Sequence, residues 1–583
     1  VAINPFKKKT SPRLYRISIY YIAKDLLLGS LPLFTDLVLM GRKNKRDWIS
    51  EVYDLVLASG IEEHAAIGDL NRFNVMEASA ISLMSVLKRN DNPFSHENAV
   101  LLLIKSILEN PNVLSKDIDL INCKVSCTDW NNIQSMEPKV KVKLEPSTDA
   151  IYPLPNWVNK KEKSLYRLGM FIRSCLLGGV DWSSGQKVDS QLSGYFGIKS
   201  SFYKRSLGMM HSPESMHGET SPMSNWMSGL LFRLLKWPGI KSANVLYEWP
   251  DKMDLDRLKI LIDKRIEDQK GLYCSLTGIP GYIERVKLDW PDDKKDLKVV
   301  MVQSLLPRKQ DFGEFGLMLD NEKFKAKHRS HIASVAELIL HKIYSQNSVH
   351  DDQSKKKSDI DLIVWPELAV HIDDIDILRD LSRKTGAMIF SGLGFLNLDG
   401  VPGPNNCAVW IIPGNADKGR QPIVRLQGKG NMMADEKGKI QSWRPYQLMI
   451  ELVHPKFERE PGFVLTGSIC YDATDIKLSA DLKGKSNAFI VSALNKDVAT
   501  FDSMVDALYY HMYQHVVLVN TGEFGGSVAK APYKEKHEKL ITHVHGADQV
   551  SISSFDMNMF DFRNIGSGFT SGKKIKAKPA GTH

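Results

Sequence analysis

Two patterns of apolar residues divide this chain. Through the first half they recur at helical spacing: Ile49, Val52, Tyr53 and Val56 repeat before Gly60, and Ser95 precedes an apolar run that stops at Asn110-Pro111. Similar runs cover 164–175 and 224–237, the second closed by Pro238-Gly239, so these stretches predict packing helices. Between them, from about Thr128 to Asn159, Asn, Pro, Lys and Ser take over. The alternation Lys139-Val-Lys-Val-Lys143 there predicts one exposed strand or an extended linker.

From Lys298 the pattern changes to short apolar runs, which predict strands at 299–302, 362–365, 388–391, 408–412, 463–469, 488–492 and 516–519. Amphipathic stretches alternate with them and predict helices over 328–344, 375–385 and 501–514, the pattern of an α/β domain. Lys355-Lys-Lys357 reads as a loop ahead of a strand. The expected organisation is a helical region 1–127, a linker 128–163, a helical connector 164–290, the α/β domain 298–560 and a basic flexible tail 561–583.

With 583 residues, 43% of them hydrophobic, the chain can bury several cores. The formal charge of +9 is modest, but basic residues cluster at Lys7, Lys8, Lys9, Arg13 and Arg16, at Lys139, Lys141 and Lys143, and at Lys573, Lys574, Lys576 and Lys578. Such runs suit phosphate backbones or solvated termini, and no nucleic-acid motif accompanies them. The six cysteines, at 123, 127, 175, 274, 407 and 470, are too sparse for a disulfide framework, so a reducing, cytoplasmic setting is expected. The apolar stretch 17–40 is broken by Lys24, Asp25 and Asp36 and lacks a small-residue cleavage site, so neither a signal peptide nor a membrane span is expected. The chain opens on Val with positive charges close behind, as one part of a longer polypeptide would.

Three side chains carry candidate chemistry. Cys470 ends the run Leu465-Thr-Gly-Ser-Ile-Cys470, and an α/β fold exposes chemistry at strand ends. A thiol there needs a group to take its proton and another to stabilise the oxyanion formed on attack. Glu367 ends Leu362-Ile-Val-Trp-Pro-Glu367, where burial would suit a general base. Lys429 stands between Gly428 and Gly430, which let backbone approach a substrate, and its ammonium could hold the oxyanion. Lys429 follows Glu367 by 62 positions, and Cys470 follows Lys429 by 41.

In that order and with those local words, the chain resembles the nitrilase, or carbon–nitrogen hydrolase, superfamily over about 298–560. Pro366-Glu367 resembles the family's first motif, Ile469-Cys-Tyr-Asp472 its nucleophile motif, and Val299-Val-Met-Val-Gln303 its opening strand. Glu436, seven positions after Lys429, matches a second glutamate of the family; 509–520 and Phe524-Gly-Gly-Ser527 resemble its later helix–strand segment and glycine-rich loop. The resemblance implies a four-layer α-β-β-α sandwich behind a mainly helical region. It also implies a Glu367, Lys429 and Cys470 catalytic set acting through a cysteine thioester on an amide or nitrile. Glu436 would orient the lysine or substrate, the Tyr471 backbone N–H would help at the oxyanion, and Asp472 would support the site. No cofactor, metal or membrane partner is implied, and a homo-oligomer is. The chain departs from the family where Asn431 replaces a frequent His, where Gly428 and Gly430 replace bulkier flanks, and where Ala473-Thr-Asp-Ile476 replaces an Arg-Phe-Pro-Glu-like stretch.

Other readings compete. His511 and His515, four apart on an expected helix, and Cys123-x-x-x-Cys127 offer metal ligands, but without a helical Glu or a second cysteine pair. Gly392-Leu-Gly394 and Phe524-Gly-Gly526 lack the Lys-Ser/Thr of a phosphate cradle and read as turns. Ser164-Leu-Tyr-Arg-Leu-Gly169, Ser221-Pro-Met-Ser-Asn-Trp226 and Leu234-Leu-Lys-Trp-Pro-Gly239 look like the connector before the nitrilase domain of bacterial antiphage reverse transcriptases; the same residues also suit plain packing of Leu230, Leu231, Leu234 and Trp237. The pairs Asp292-Asp293, Asp351-Asp352 and Asp373-Asp374 lack a polymerase setting. That resemblance implies nucleic-acid binding through the N-terminal half or a missing portion, with the α/β domain as effector or as a catalytically silent scaffold.

Overall fold

The computed structural model describes residues 78–79, 93–109, 111, 114, 124–127, 140–143, 158–177, 224–235, 247, 249–271, 276–308, 311, 318–319, 321–349, 360–398, 401–414 and 422–581. The basic cluster 7–16, the stretch 17–40, the helix expected at 49–56, and Cys123, Lys139, Trp237 and 355–357 lie outside these residues. The chain divides into two compact units between Gly271 and Leu272.

The first unit contains helices α1 (Pro93–Glu109), α2 (Lys163–Leu177), α3 (Asn225–Leu235) and α4 (Leu255–Gly271). Leu101, Ile104, Leu168, Phe171, Leu230, Leu231, Leu234, Leu258 and Ile262 share one core, so the leucines of α3 do pack. Ser224 caps α3 by accepting from the Met227 N–H at 3.2 Å. Inside the unit, Arg265 pairs with buried Glu97 at 2.7 Å. Three short strands, β1 (Ala78–Ser79), β2 (Lys124–Cys127) and β3 (Val140–Lys143), form an antiparallel sheet in this unit. The Lys139–Lys143 alternation is therefore a paired strand through 140–143, because β2 supplies its ladder.

The second unit is built on two mixed sheets. Its strands are β4 (Gly281–Val286), β5 (Asp296–Gln303), β6 (Leu362–Val364), β7 (Met388–Gly392), β8 (Leu396–Asn397), β9 (Pro404–Asn405), β10 (Cys407–Ile412), β11 (Ile423–Gly428), β12 (Gln447–Leu452), β13 (Phe463–Ile469), β14 (Ala488–Ser492), β15 (His515–Val519), β16 (Ser527–Lys530), β17 (Leu540–Val544) and β18 (Ser551–Asn558). One sheet runs β11-β10-β7-β6-β5-β18, the other β17-β16-β15-β14-β13-β12-β4, and β8 pairs with β9 apart from both. Strands β5, β6 and β7 are parallel, as are β13, β14 and β15. The side chains of β6, β7, β14 and β15 are buried on both faces, which is why these strands read as short apolar runs.

The sheets meet face to face. A Cβ on Gly467 of β13 would lie 2.6 Å from the Phe390 ring of β7, and that ring stacks on Trp410 at 4.4 Å. Helices α5 (Glu322–Val349) and α6 (Ile375–Thr385) place Ile332, Val335, Ile339, Leu378 and Leu381 in one core with Val300, Val302 and Ile363. The helix α6 stops at Gly386, whose φ of 72° allows its N–H to reach the Ser382 carbonyl. Two further helices, α7 (Ile476–Leu482) and α8 (Val498–His511), precede β14 and β15.

Three expectations are corrected. The helix expected at 501–514 is α8, started by the Asp497 cap; His511 ends it and His515 opens β15, so the two histidines share no helical face. The strand β4 lies ahead of Lys298, within the stretch expected to be helical, and pairs in parallel with β12. Its Tyr-Ile-Glu-Arg core hid it: Glu284 is buried, neutralised by Arg425 at 2.9 Å. Residues 561–581 pack onto the unit instead of forming a free tail. Tyr533 bonds Asp561 at 2.6 Å, Ser571 bonds Asp561 at 2.5 Å, and the Lys576 N–H donates to the Pro532 carbonyl at 2.9 Å.

Candidate active site

Parallel strands send their carboxyl ends to the same side, so loops from both sheets converge. Glu367 follows β6, Cys470 follows β13, and Leu494 follows β14. The sheets are linked here by the Ser492 hydroxyl donating to the Trp365 carbonyl at 3.0 Å and by the Glu367 N–H donating to the Ala493 carbonyl at 3.3 Å. Backbone crowding holds Glu367 from the other side: a Cβ on Gly392 would meet the Pro366 carbonyl oxygen at 2.6 Å.

Glu367, Lys429 and Cys470 come together, 3%, 1% and 5% exposed, which makes them a water-excluded cluster. Lys429 Nζ lies 2.9 Å from Glu367 Oε1 and at 2.9 and 2.8 Å from the two oxygens of Glu436. The Leu494 peptide touches both other partners, its N–H donating to Glu367 Oε2 at 3.0 Å and its carbonyl facing Cys470 Sγ at 3.7 Å. Oε1 of Glu367 takes two side-chain donors and Oε2 one backbone donor, so Oε2 is the oxygen better able to receive a proton.

Cys470 opens a 3-10 turn, Cys470–Thr474, with φ of 43°, a left-handed conformation costly for a side chain with a Cβ. The strain turns Sγ off the strand line, and Asp472 two residues on holds the turn in place. Asp472, fully buried, accepts from the N–H groups of Gly430 and Asn431, the latter at 2.6 Å, and pairs with Arg444 at 3.1 Å. Asn431 thus uses its backbone to join the lysine loop to the cysteine turn. Gly428 is required because a Cβ there would lie 1.7 Å from the Trp443 carbonyl oxygen. Tyr471, beside them, is 41% exposed, so its side chain faces outward while its backbone lies in the turn.

Burial pushes the Cys470 thiol well above the usual cysteine range; the Glu367 carboxylate adds to this and Lys429 opposes it. The resting group is therefore a thiol, which needs a base at the moment of attack. Burial by itself would lower Lys429, but Glu367, Cys470 and Glu436 outweigh it and hold the ammonium above the ordinary lysine range.

The sequence did not single out Asn406, Arg444 or the Leu494 peptide. Asn406 carries the one local hint, a polar pair Asn405-Asn406 set directly before an apolar strand; Arg444 carries none, since only folding brings it to Asp472. Among the described residues no group of three or more His, Cys, Asp or Glu could hold a metal ion, and no helix is long and apolar enough to cross a membrane.

No protein-family model matches the chain, and no curated protein matches it. Solved structures that do match cover its C-terminal half and are members of the nitrilase superfamily. Nit3 of Saccharomyces cerevisiae, from branch 10 of that superfamily, is 13% identical, over 46% of this chain and 92% of that one, with a TM-score of 0.33. A mutant amidase of the superfamily from Nesterenkonia AN1 is 13% identical over 45% and 91%, with a TM-score of 0.31. The CN-hydrolase superfamily protein XC1258 of Xanthomonas campestris, with an arsenic adduct in its active site, is 14% identical over 45% and 91%, at 0.32.

Proposed function

We propose that the second unit hydrolyses a non-peptide carbon–nitrogen bond, in an amide or a nitrile, through a covalent cysteine intermediate. The carrying observation is the burial together of a thiol, a carboxylate and an ammonium with the backbone of one residue, Leu494, touching both thiol and carboxylate. Cys470 would attack the carbonyl carbon while its proton passes to Glu367 Oε2, and the carbonyl electron pair would move to oxygen. Lys429 bonds Glu436 twice, so it can surrender one of those bonds to the oxyanion without leaving the site, aided by the Tyr471 N–H. Glu367 would return the proton to the departing amine as the C–N bond breaks, leaving a thioester. Water, deprotonated by Glu367, would then displace Sγ and regenerate the thiol. A nitrile would pass through a thioimidate in place of the first tetrahedral species.

In this reading the two sheets and their outer helices form a four-layer α-β-β-α sandwich, starting with β4. The homo-oligomer, the antiphage setting and a nucleic-acid-binding first unit belong to the same proposal and rest on sequence resemblance alone. Sedimentation of the purified chain tests the first, and salt-dependent nucleic-acid binding tests the last.

The deciding experiment is intact-mass analysis after limiting iodoacetamide at neutral pH on the wild type, Cys470→Ala and Glu367→Gln. Preferential alkylation at Cys470 that is lost in Glu367→Gln is expected, followed by ammonia release from some member of an amide and nitrile panel. Alkylation no faster than at the other cysteines would instead favour the silent scaffold.

A further inference from the structure

Resting on that reading, we propose that Asn406 is a positioning residue of the Cys470 site, whose amide holds the Glu367 and Glu436 carboxylates in place around one ammonium. Asn406 sits between β9 and β10 and is 1% exposed. Its Nδ2 donates to Glu367 Oε1 at 2.8 Å and to Glu436 Oε1 at 3.0 Å, one hydrogen for each carboxylate. Its backbone carbonyl accepts the Lys429 N–H at 3.0 Å. One residue thus bonds both carboxylates of the cluster and the backbone of its lysine.

Charge balance explains why such a residue is needed. Glu367 and Glu436 meet the same Lys429 Nζ, and the ammonium has three hydrogens, all in use on these two carboxylates. Two carboxylates drawn to one ammonium repel each other, and a Glu367 pushed out of place could not take the thiol proton. Backbone donors supply part of what is missing: Leu494 N–H to Glu367 and Met433 N–H to Glu436, at 3.0 and 2.9 Å. The Asn406 amide supplies the remainder, and is the one uncharged side chain bonded to both carboxylates among the described residues.

The other end of the amide supports this. Asn406 Oδ1 is buried with no hydrogen-bond partner among the described residues, so the side chain's bonds run to the two carboxylates. Turning the amide over would satisfy nothing, since it would set Oδ1 against two carboxylate oxygens. The charged and titratable groups around Glu367 are Lys429 from the loop after β11, Glu436 from the turn beyond it and the Cys470 thiol from the end of β13. Asn406 adds no charge to these, so its effect is on how the carboxylates are held.

The test is the pH dependence of Cys470 alkylation by iodoacetamide on the full chain, read by intact mass from about pH 3 to about pH 8, a range that brackets carboxylate and histidine titrations. Removing a donor from an ionised carboxylate moves the acid limb to higher pH, by about one unit for a charge-assisted bond. That shift is expected for Asn406→Ala, and a larger one for Asn406→Asp, which adds a third carboxylate in an almost identical shape and keeps the test readable should the alanine variant not fold. An unmoved acid limb in the folded variants, or a rate lowered equally at every pH, overturns the inference and leaves the proposed function standing. Alkylation of the wild type that does not depend on Glu367 overturns both.

Discussion

A Cβ at Gly392 would lie 2.4 Å from the Glu367 Cα, so the end of β7 and the residue bearing the candidate base pack backbone to backbone. The obstacle is main chain, which cannot swing aside as a flexible side chain can. Gly392→Ala is expected to cost about 1–3 kcal/mol of stability, the usual range for overpacking, and to slow Cys470 alkylation by displacing Glu367. Urea unfolding and alkylation rates check both; an unchanged alkylation rate would show that the carboxylate keeps its place without that contact.

Asp472 is expected to matter for stability as much as for chemistry. Its partner Arg444 has a side chain only 4% exposed, so Asp472→Asn leaves a guanidinium buried beside a neutral amide. Breaking a buried pair on one side costs about 3–5 kcal/mol. Arg444→Met added to Asp472→Asn should recover part of the loss, and equal losses in the single and double variants would rule out the pair as the cause.

The edge strand β4 is expected to depend on one ion pair. Glu284 and Arg425 lie 2.9 Å apart, Glu284 fully shielded at its side chain, and Tyr282 also bonds Glu284 at 3.1 Å. Glu284→Gln should loosen 281–286 against β12, by about 3–5 kcal/mol if the arginine is left unpaired. Hydrogen exchange of these amides, faster in the variant while β13 to β15 stay protected, is the measurement; uniform exchange across the sheet would contradict a local role.

Acid should destabilise the second unit through its buried histidines. Burial lowers His515 to about 4, and it stands among Phe463, Tyr533 and Phe562, with no partner for either ring nitrogen among the described residues. A histidine with a depressed value is neutral when folded and takes up a proton on unfolding. Its contribution is thus complete above about pH 6.5 and is lost as pH falls towards about 4, at up to ~1.4 kcal/mol per pH unit. His515→Phe should flatten this slope without abolishing it, because burial also lowers His328 to about 4. Unfolding midpoints measured between those limits decide it, and an unaltered slope would mean that folded His515 takes up its proton freely.

By itself the sequence determined those parts of the molecule whose burial is local. Strands β13 and β14 appear in the chain as 463–469 and 488–492 because nearly every side chain in them is buried, and α6 as 375–385 because Gly386 stops it. Glu367, Lys429 and Cys470 were legible for a related reason: each ends or follows an apolar run, where a polar side chain stands out. Tertiary structure alone decided the remainder. The strand β4 went unread because its buried Glu284 is neutralised by Arg425, 141 positions away. Residues 561–581 read as a tail because their anchors, Pro532 and Tyr533, lie in another segment. Asn406 and Arg444 carry no helical or strand period that marks them; they acquire meaning only where folding brings a second carboxylate to one ammonium and a guanidinium to Asp472. Apolar periodicity records which residues leave water, whereas the pairing of buried charges is set by distances that exist only in the folded chain.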